Sequence, residues 1–166
     1  MEAAGERLSK AHVITVSDGV SAGTRQDESG RALVRILQSA AFEVAEPIVV
    51  PDDQQRIADA IVTAAGGGAD VVVTTGGTGL GPRDVTPQAM SAVIDYEVPG
   101  IGEAMRRAGA ASTPMAALSR SMAGVRGRTL IISVPGSPRG ATESLEAVMP
   151  ALAHAIRLLH GDTKHD

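Results

Sequence analysis

The sequence contains no cysteine. Disulfides, zinc fingers, iron–sulfur clusters and thiol catalysis are therefore excluded. Tryptophan is also absent, and Phe42 and Tyr96 are the only aromatic residues. Aromatic platforms for stacking single-stranded nucleic acid cannot be built from so few rings. Acidic residues outnumber basic ones, 19 to 15, for a net charge of -4. No general attraction to nucleic acid or an anionic membrane follows from that balance. No segment approaches the roughly 18 apolar residues of a membrane span. Residues 1–11 (MEAAGERLSKA) hold no apolar run and show no signal peptide. The expected compartment is the cytoplasm. The four histidines (His12, His154, His160, His165) lack metal-ligand spacing.

What is present suits one globular domain. The chain has 166 residues, 43% of them apolar and 20% charged. Its core must be Ala, Val, Ile, Leu and Met, side chains that allow close packing of helices on a sheet. Short apolar strands alternate with amphipathic helices. Strands are expected at His12–Ser17, Glu43–Val50, Asp70–Thr75 and Thr129–Val134. Pro47 pushes the second towards a sheet edge. The continuous run in the third fits a central strand buried on both faces. Helical spacing marks Glu28–Ala41, Asp53–Ala65 and a long stripe of Leu145, Val148, Met149, Leu152, Ile156 and Leu159. Thr86-Pro87 reads as a helix start with Thr86 as N-cap, and a short helix is expected after Pro99-Gly100. This alternation predicts an α/β fold of three layers, α/β/α, with a mostly parallel sheet. The domain is expected over 12–162, after a flexible N-terminus (1–11) and before a frayed tail (163–166).

In such sheets ligands bind beyond the carboxyl ends of the strands. The segments there are rich in Gly or acidic residues. Asp18 opens a loop that continues through Asp27, Ser29 and Gly30. Asp52 and Asp53 follow Pro51. Thr74-Thr75-Gly76-Gly77-Thr78-Gly79 leads into Arg83-Asp84-Val85-Thr86-Pro87, and Pro135-Gly136-Ser137-Pro138 follows the last strand. Gly76, Gly77 and Gly79 allow a tight turn whose amides can form an anion nest. Arg83 can pair with phosphate, and Asp84 can hold a divalent cation beside it. Asp53 reads as a helix cap, but Asp52 and Asp84 sit on the ligand edge. Two carboxylates converging there would suit Mg²⁺ on a nucleotide triphosphate. Leu118–Ser121 reads, by composition alone, as an ordinary surface loop. No Walker loop, G-x-G-x-x-G, H-E-x-x-H or G-x-S-x-G is present.

With these motifs in place, the sequence resembles the molybdopterin adenylyltransferase family, which includes MogA, MoaB and gephyrin G domains. The matching segments are TVSDGVSAG (15–23), DESG (27–30), VVPDD (49–53), TTGGTGLGPRDVTPQA (74–89), PGIGEAMR (99–106), LSRSMAGVRG (118–127) and PGSPRG (135–140). The resemblance implies Mg²⁺- and ATP-dependent transfer of AMP to the terminal phosphate of molybdopterin. It implies Asp52 and Asp84 as catalytic and Mg²⁺-binding residues. Thr75, Gly76, Gly77, Thr78, Gly79, Arg83, Ser119, Arg120, Pro135, Gly136 and Ser137 then contact nucleotide or molybdopterin. Asp18, Asp27, Ser29 and Gly30 are further loop contacts. It also implies a homotrimer or hexamer and a downstream metal-insertion enzyme as partner. A non-catalytic molybdopterin carrier of the same fold is the alternative. Metal insertion itself normally resides in a much longer chain. Ser133, Ser137 and Gln88 depart from the family's usual Asn, Asn and Glu.

Overall fold

A strand with no exposed residue lies near the middle of the sheet. The computed structural model describes residues 7–163. Residues 1–6, most of the expected flexible N-terminus, and 164–166, with His165 in the expected tail, lie outside them. Val71–Thr75 (β4) is buried throughout, as a β-branched run covered on both faces should be. It pairs in parallel with Lys10–Val16 (β1) and Thr129–Val134 (β7). β1 also pairs in parallel with Glu43–Val44 (β2) and Ile48–Val50 (β3). Beyond β7 the sheet turns antiparallel through Ala123–Arg126 (β6) to Tyr96–Glu97 (β5). The order of the seven-stranded sheet is β2-β1-β4-β7-β6-β5, with β3 alongside β1.

The helices are Asp18–Ser21 (α1), Glu28–Ser39 (α2), Gln54–Gly66 (α3), Thr86–Val93 (α4), Pro99–Ala110 (α5) and Pro138–Leu159 (α6). A 3-10 turn at Pro114–Leu118 follows α5. Strand residues alternate between two cores. Val71 and Val73 pack with Leu33 and Leu37 of α2, Met105 of α5 and Leu145 and Leu152 of α6. Val72 packs on the other face with Ile57 and Ile61 of α3 and Met90 of α4. The three layers expected from the sequence are present. Among the described residues, no helix is long and apolar enough to cross a membrane.

Several local expectations need correction. The first strand begins at Lys10, two residues before the expected His12. The strand expected over Glu43–Val50 is interrupted around Pro47, which has no N–H to donate, and forms two short pieces. The helix after Pro99 is twelve residues long, not short. Thr86 is not an N-cap: it is the first residue of α4, and its hydroxyl donates to Gly76 O at 2.9 Å. Asp53 and Ser137, by contrast, do cap α3 and α6, accepting from Arg56 N and Gly140 N.

Asp70 fastens the end of the sheet away from these loops. It is 2% exposed and sits just before β4. Its carboxylate accepts from Lys10 N at 2.7 Å and from Arg7 Nη2 at 2.9 Å, and His160 Nε2 lies 2.7 Å away. Burial alone would raise its pKa, but the Lys10 amide, Arg7 and His160 together hold it below the ordinary 3.8. A carboxyl whose folded pKa is lowered stabilises the fold above its unfolded pKa, and that contribution is lost as pH falls through the folded value. Wild type should therefore melt above Asp70→Asn at about pH 5, and the gap should close towards about pH 2. A gap that widens on acidification would refute this assignment.

Candidate functional site

The loops at the carboxyl ends of β1, β3, β4 and β7 enclose two clefts. One is polar, about 630 Å³, and is lined by Asp27, Ser29, Asp52, Thr75 and Gly76 among others. The second is mostly apolar, about 550 Å³, and lies between the Gly77–Leu80 segment, α5, the 3-10 turn and the start of α6. Gly77, Asp84, Gly136 and Ser137 line both, so the clefts meet at these four residues. The N-terminus of α6, a helix of 22 residues, begins at that junction. Its dipole favours negative charge there.

Glycine is required where the chain turns out of β4. Gly77 has φ +67, and a Cβ on it would lie 2.4 Å from Thr86 Oγ1 and 3.5 Å from Asp52 Oδ1. Backbone at this point thus approaches the Asp52 carboxylate without obstruction. Thr75 Oγ1 donates to Pro135 O at 2.8 Å, which ties the β4 loop to the β7 loop.

Asp52 and Asp18 are locked to each other. Asp18 N donates to Asp52 Oδ2 at 2.9 Å, and Asp52 N donates to Asp18 Oδ1 at 3.0 Å. Burial pushes the Asp52 carboxyl up; the charges of Asp18 and Asp84 add to that, while the Asp18 amide and Arg83 oppose it. Asp84 accepts from Gly81 N through Oδ2 at 2.8 Å. Each aspartate thus has one oxygen committed to a backbone amide, and the bonds described leave Oδ1 of both for a ligand. No group of three or more Asp, Glu or His close enough to hold a metal occurs among the described residues. A pair of carboxylates nevertheless fits Mg²⁺, which takes one or two carboxylates with phosphate oxygens and waters.

The two arginines expected to meet phosphate are engaged with protein. Arg83 donates to Asp18 through Nε at 2.6 Å and Nη2 at 3.0 Å, and its Nη2 lies 3.3 Å from Asp52 O. Arg83 holds the Asp18 carboxyl below its usual range, helped by the Asp52 amide. Arg120 donates to Gly79 O at 2.9 Å and to Asp84 O at 2.7 Å. These bonds brace the glycine-rich turn from behind; neither arginine lines either cleft.

Other expected residues divide in the same way. Ser29 lines the polar cleft; Thr78, Gly79, Ser119 and Pro135 line the apolar one. Ser119 Oγ donates to Ser121 Oγ at 2.9 Å. Asp27 lines the polar cleft but also caps α2 through Gly30 N and accepts from Thr15 Oγ1. Gly30 is structural: a Cβ there would lie 2.4 Å from Thr15 Oγ1. Asp18 lines neither cleft and is bonded to Asp52. Met105, Arg106, Met115, Leu118 and Glu143 also wall the apolar cleft. Met105, Arg106 and Leu118 lie in segments that carry the family resemblance, but nothing in the sequence reveals that α5 and α6 flank a site.

Comparison with known proteins finds relatives over most of the chain. The family described as "Probable molybdopterin binding domain" matches residues 12–154. The chain is 37% identical over 159 residues to a molybdenum cofactor biosynthesis bifunctional protein of Chlorobaculum tepidum, covering 96% of this chain and 51% of that one. It thus spans about half the length of that bifunctional relative. It is 38% identical to the molybdopterin adenylyltransferase of Helicobacter pylori, covering 90% of this chain and 87% of the relative. The crystal structure of the molybdopterin biosynthesis enzyme MoaB from Thermus thermophilus superposes with a TM-score of 0.87 at 50% identity, covering 93% of this chain and 98% of that one.

Proposed function

This chain belongs to the molybdopterin-binding domain family, and on that premise we propose that it transfers AMP from ATP to the terminal phosphate of molybdopterin. A molybdopterin phosphate oxygen attacks the α-phosphorus of ATP. The bond from that phosphorus to the bridging oxygen breaks, and pyrophosphate leaves with the electron pair. The nucleophile comes from the substrate, so no activated serine or cysteine is needed. The observation that carries the reading is the meeting of two clefts at Asp84 and Gly77, beside Asp52. Two substrates bound there would bring their phosphates together, and placement supplies much of the rate.

The residues of this chain have separable tasks. Gly76 and Gly77 let the backbone approach the phosphates. The α6 N-terminus places positive potential where negative charge accumulates. Asp52 and Asp84 would hold Mg²⁺, which when bound supplies charge neutralisation on the polyphosphate. Arg120 fixes the loop that carries Asp84, and Arg83 with Asp18 fixes the backbone of Asp52. Assembly into a homotrimer or trimer-based hexamer, residence in the cytoplasm and hand-over of product to a metal-insertion enzyme belong to the same proposal.

The test uses the whole purified chain with molybdopterin, ATP and Mg²⁺. Adenylylated molybdopterin and pyrophosphate should form in equal amounts. Folded protein that binds molybdopterin but yields neither product is a carrier, and the enzyme reading then falls.

A further inference from the structure

A further cavity, of about 430 Å³, lies at the end of the sheet away from the two clefts. It is framed by the end of α3, the hairpin between β6 and β7, and Asp70 with its partners Arg7 and His160. Arg126 pairs with Thr129 in that hairpin, and the chain reverses through Gly127, at φ +59, and Arg128. This tight turn sets Arg126 and Arg128 on one side of the cavity. The proposed AMP transfer uses none of these residues.

The lining carries more positive than negative charge. Asp70 is its carboxylate, and Arg7 answers that charge at 2.9 Å, with His160 Nε2 at 2.7 Å. Arg126 and Arg128 are left over: among the described residues no carboxylate pairs with either. Arg126 Nη1 donates to Val93 O at 2.8 Å, and the bonds described leave its Nε and Nη2 for a ligand. Asp95 gives Oδ2 to Gly127 N at 2.7 Å and does not line the cavity. Carbonyls that would repel an anion are also engaged. Those of Thr63, Ala64 and Ala65, at the end of α3, accept from the amides of Gly67, Ala69 and Gly68. Ala69 O accepts from Thr129 Oγ1 at 2.6 Å. Val62, Ala65 and Ala69 make the opposing wall apolar.

Two guanidinium groups without an ion-pair partner match one dianion. A phosphate monoester carries nearly two negative charges at neutral pH and offers three acceptor oxygens. Inorganic phosphate would leave the apolar wall unused. We propose that this cavity binds a phosphate monoester with a small apolar body, its phosphate on Arg126 and Arg128 and its body against α3. The volume lies within the roughly 300–1,000 Å³ usual for small-molecule sites. The site is separate from the clefts and does not depend on AMP transfer.

NMR titration of the full chain with phenyl phosphate, at constant ionic strength, is the test. Saturable shifts are expected at the amides of Gly68, Ala69 and Gly127. Binding at the α6 N-terminus would instead move Gly136 and Gly140, which serve as an internal control. Arg128→Gln should weaken the response at Gly68 and Ala69 about tenfold and leave the control amides unchanged. Arg128 is exposed, so the variant should fold, and thermal melting checks that. Inorganic phosphate should bind about tenfold more weakly than phenyl phosphate, because it buries no apolar surface. Benzoate, with one charge fewer, should also bind about tenfold more weakly. Shifts confined to the α6 N-terminus, or an unchanged response at Gly68 in folded Arg128→Gln, overturn the site. Benzoate as tight as phenyl phosphate overturns the phosphate assignment. Inorganic phosphate as tight as phenyl phosphate overturns the apolar body.

Discussion

Asp84→Asn is expected to lower AMP transfer on the order of 10²–10³-fold while leaving the fold intact. Asparagine retains a carbonyl oxygen that can accept from Gly81 N, the bond Asp84 makes at 2.8 Å. Arg120 donates to the backbone carbonyl of residue 84 and is unaffected by the exchange. The turn therefore keeps its shape, and what is lost is one negative charge at the meeting point of the clefts. The loss should appear in kcat with Mg-ATP, while binding of molybdopterin alone persists. A second readout is independent of turnover. The charge of Asp84 helps raise the Asp52 carboxyl, so its removal should move Asp52 back towards an ordinary carboxylate, as followed by NMR titration. Wild-type turnover in Asp84→Asn would show that the Asp84 charge is not used.

Much of this site was legible in the sequence because it is built from loops that follow strands. β1, β4 and β7 announce themselves as apolar runs, and a parallel arrangement puts their exits on one edge. Asp52, Asp84 and the glycines were found by that rule. The antiparallel strands were not: β5 is two exposed residues, and β6 reads AGVR, too short and too small for a period. The arginines show a different limit. Their type suggests phosphate contacts, but a sequence does not reveal that Asp18 and two carbonyls already occupy them. Thr86 looked like a cap because Pro follows it, yet its hydroxyl serves Gly76 O across the loop. Nothing in the sequence singles out Glu143, whose carboxylate meets Ser112, 31 residues away, and lines the apolar cleft.

Gly76→Ala should cost about 3–5 kcal/mol of stability, at the upper end of single substitutions. Its φ is +105, which L side chains rarely adopt, and a Cβ would lie 2.2 Å from Val16 O. That oxygen is backbone of β1, so no rotamer change relieves the collision. Nor can Gly76 easily retreat. Its N–H donates to Val134 O at 3.1 Å, its carbonyl accepts from Thr86 Oγ1 at 2.9 Å, and Gly136 closes over it so tightly that a Cβ there would be 3.2 Å from Gly76 Cα. β1, β7 and α4 all define this position. Gly23→Ala separates the two contributions. Gly23 has φ +76 but nothing within 4 Å of a Cβ, so it reports conformational strain alone, about 1–3 kcal/mol. Urea denaturation of both variants measures the difference. A Gly76→Ala protein no less stable than Gly23→Ala would mean that β1 yields, and the rigidity assigned to the floor of the site would be wrong. If the collision is real, surviving folded Gly76→Ala must displace the turn from β1. That displacement carries Gly77 away from Asp52, so activity should fall further than the remaining stability explains.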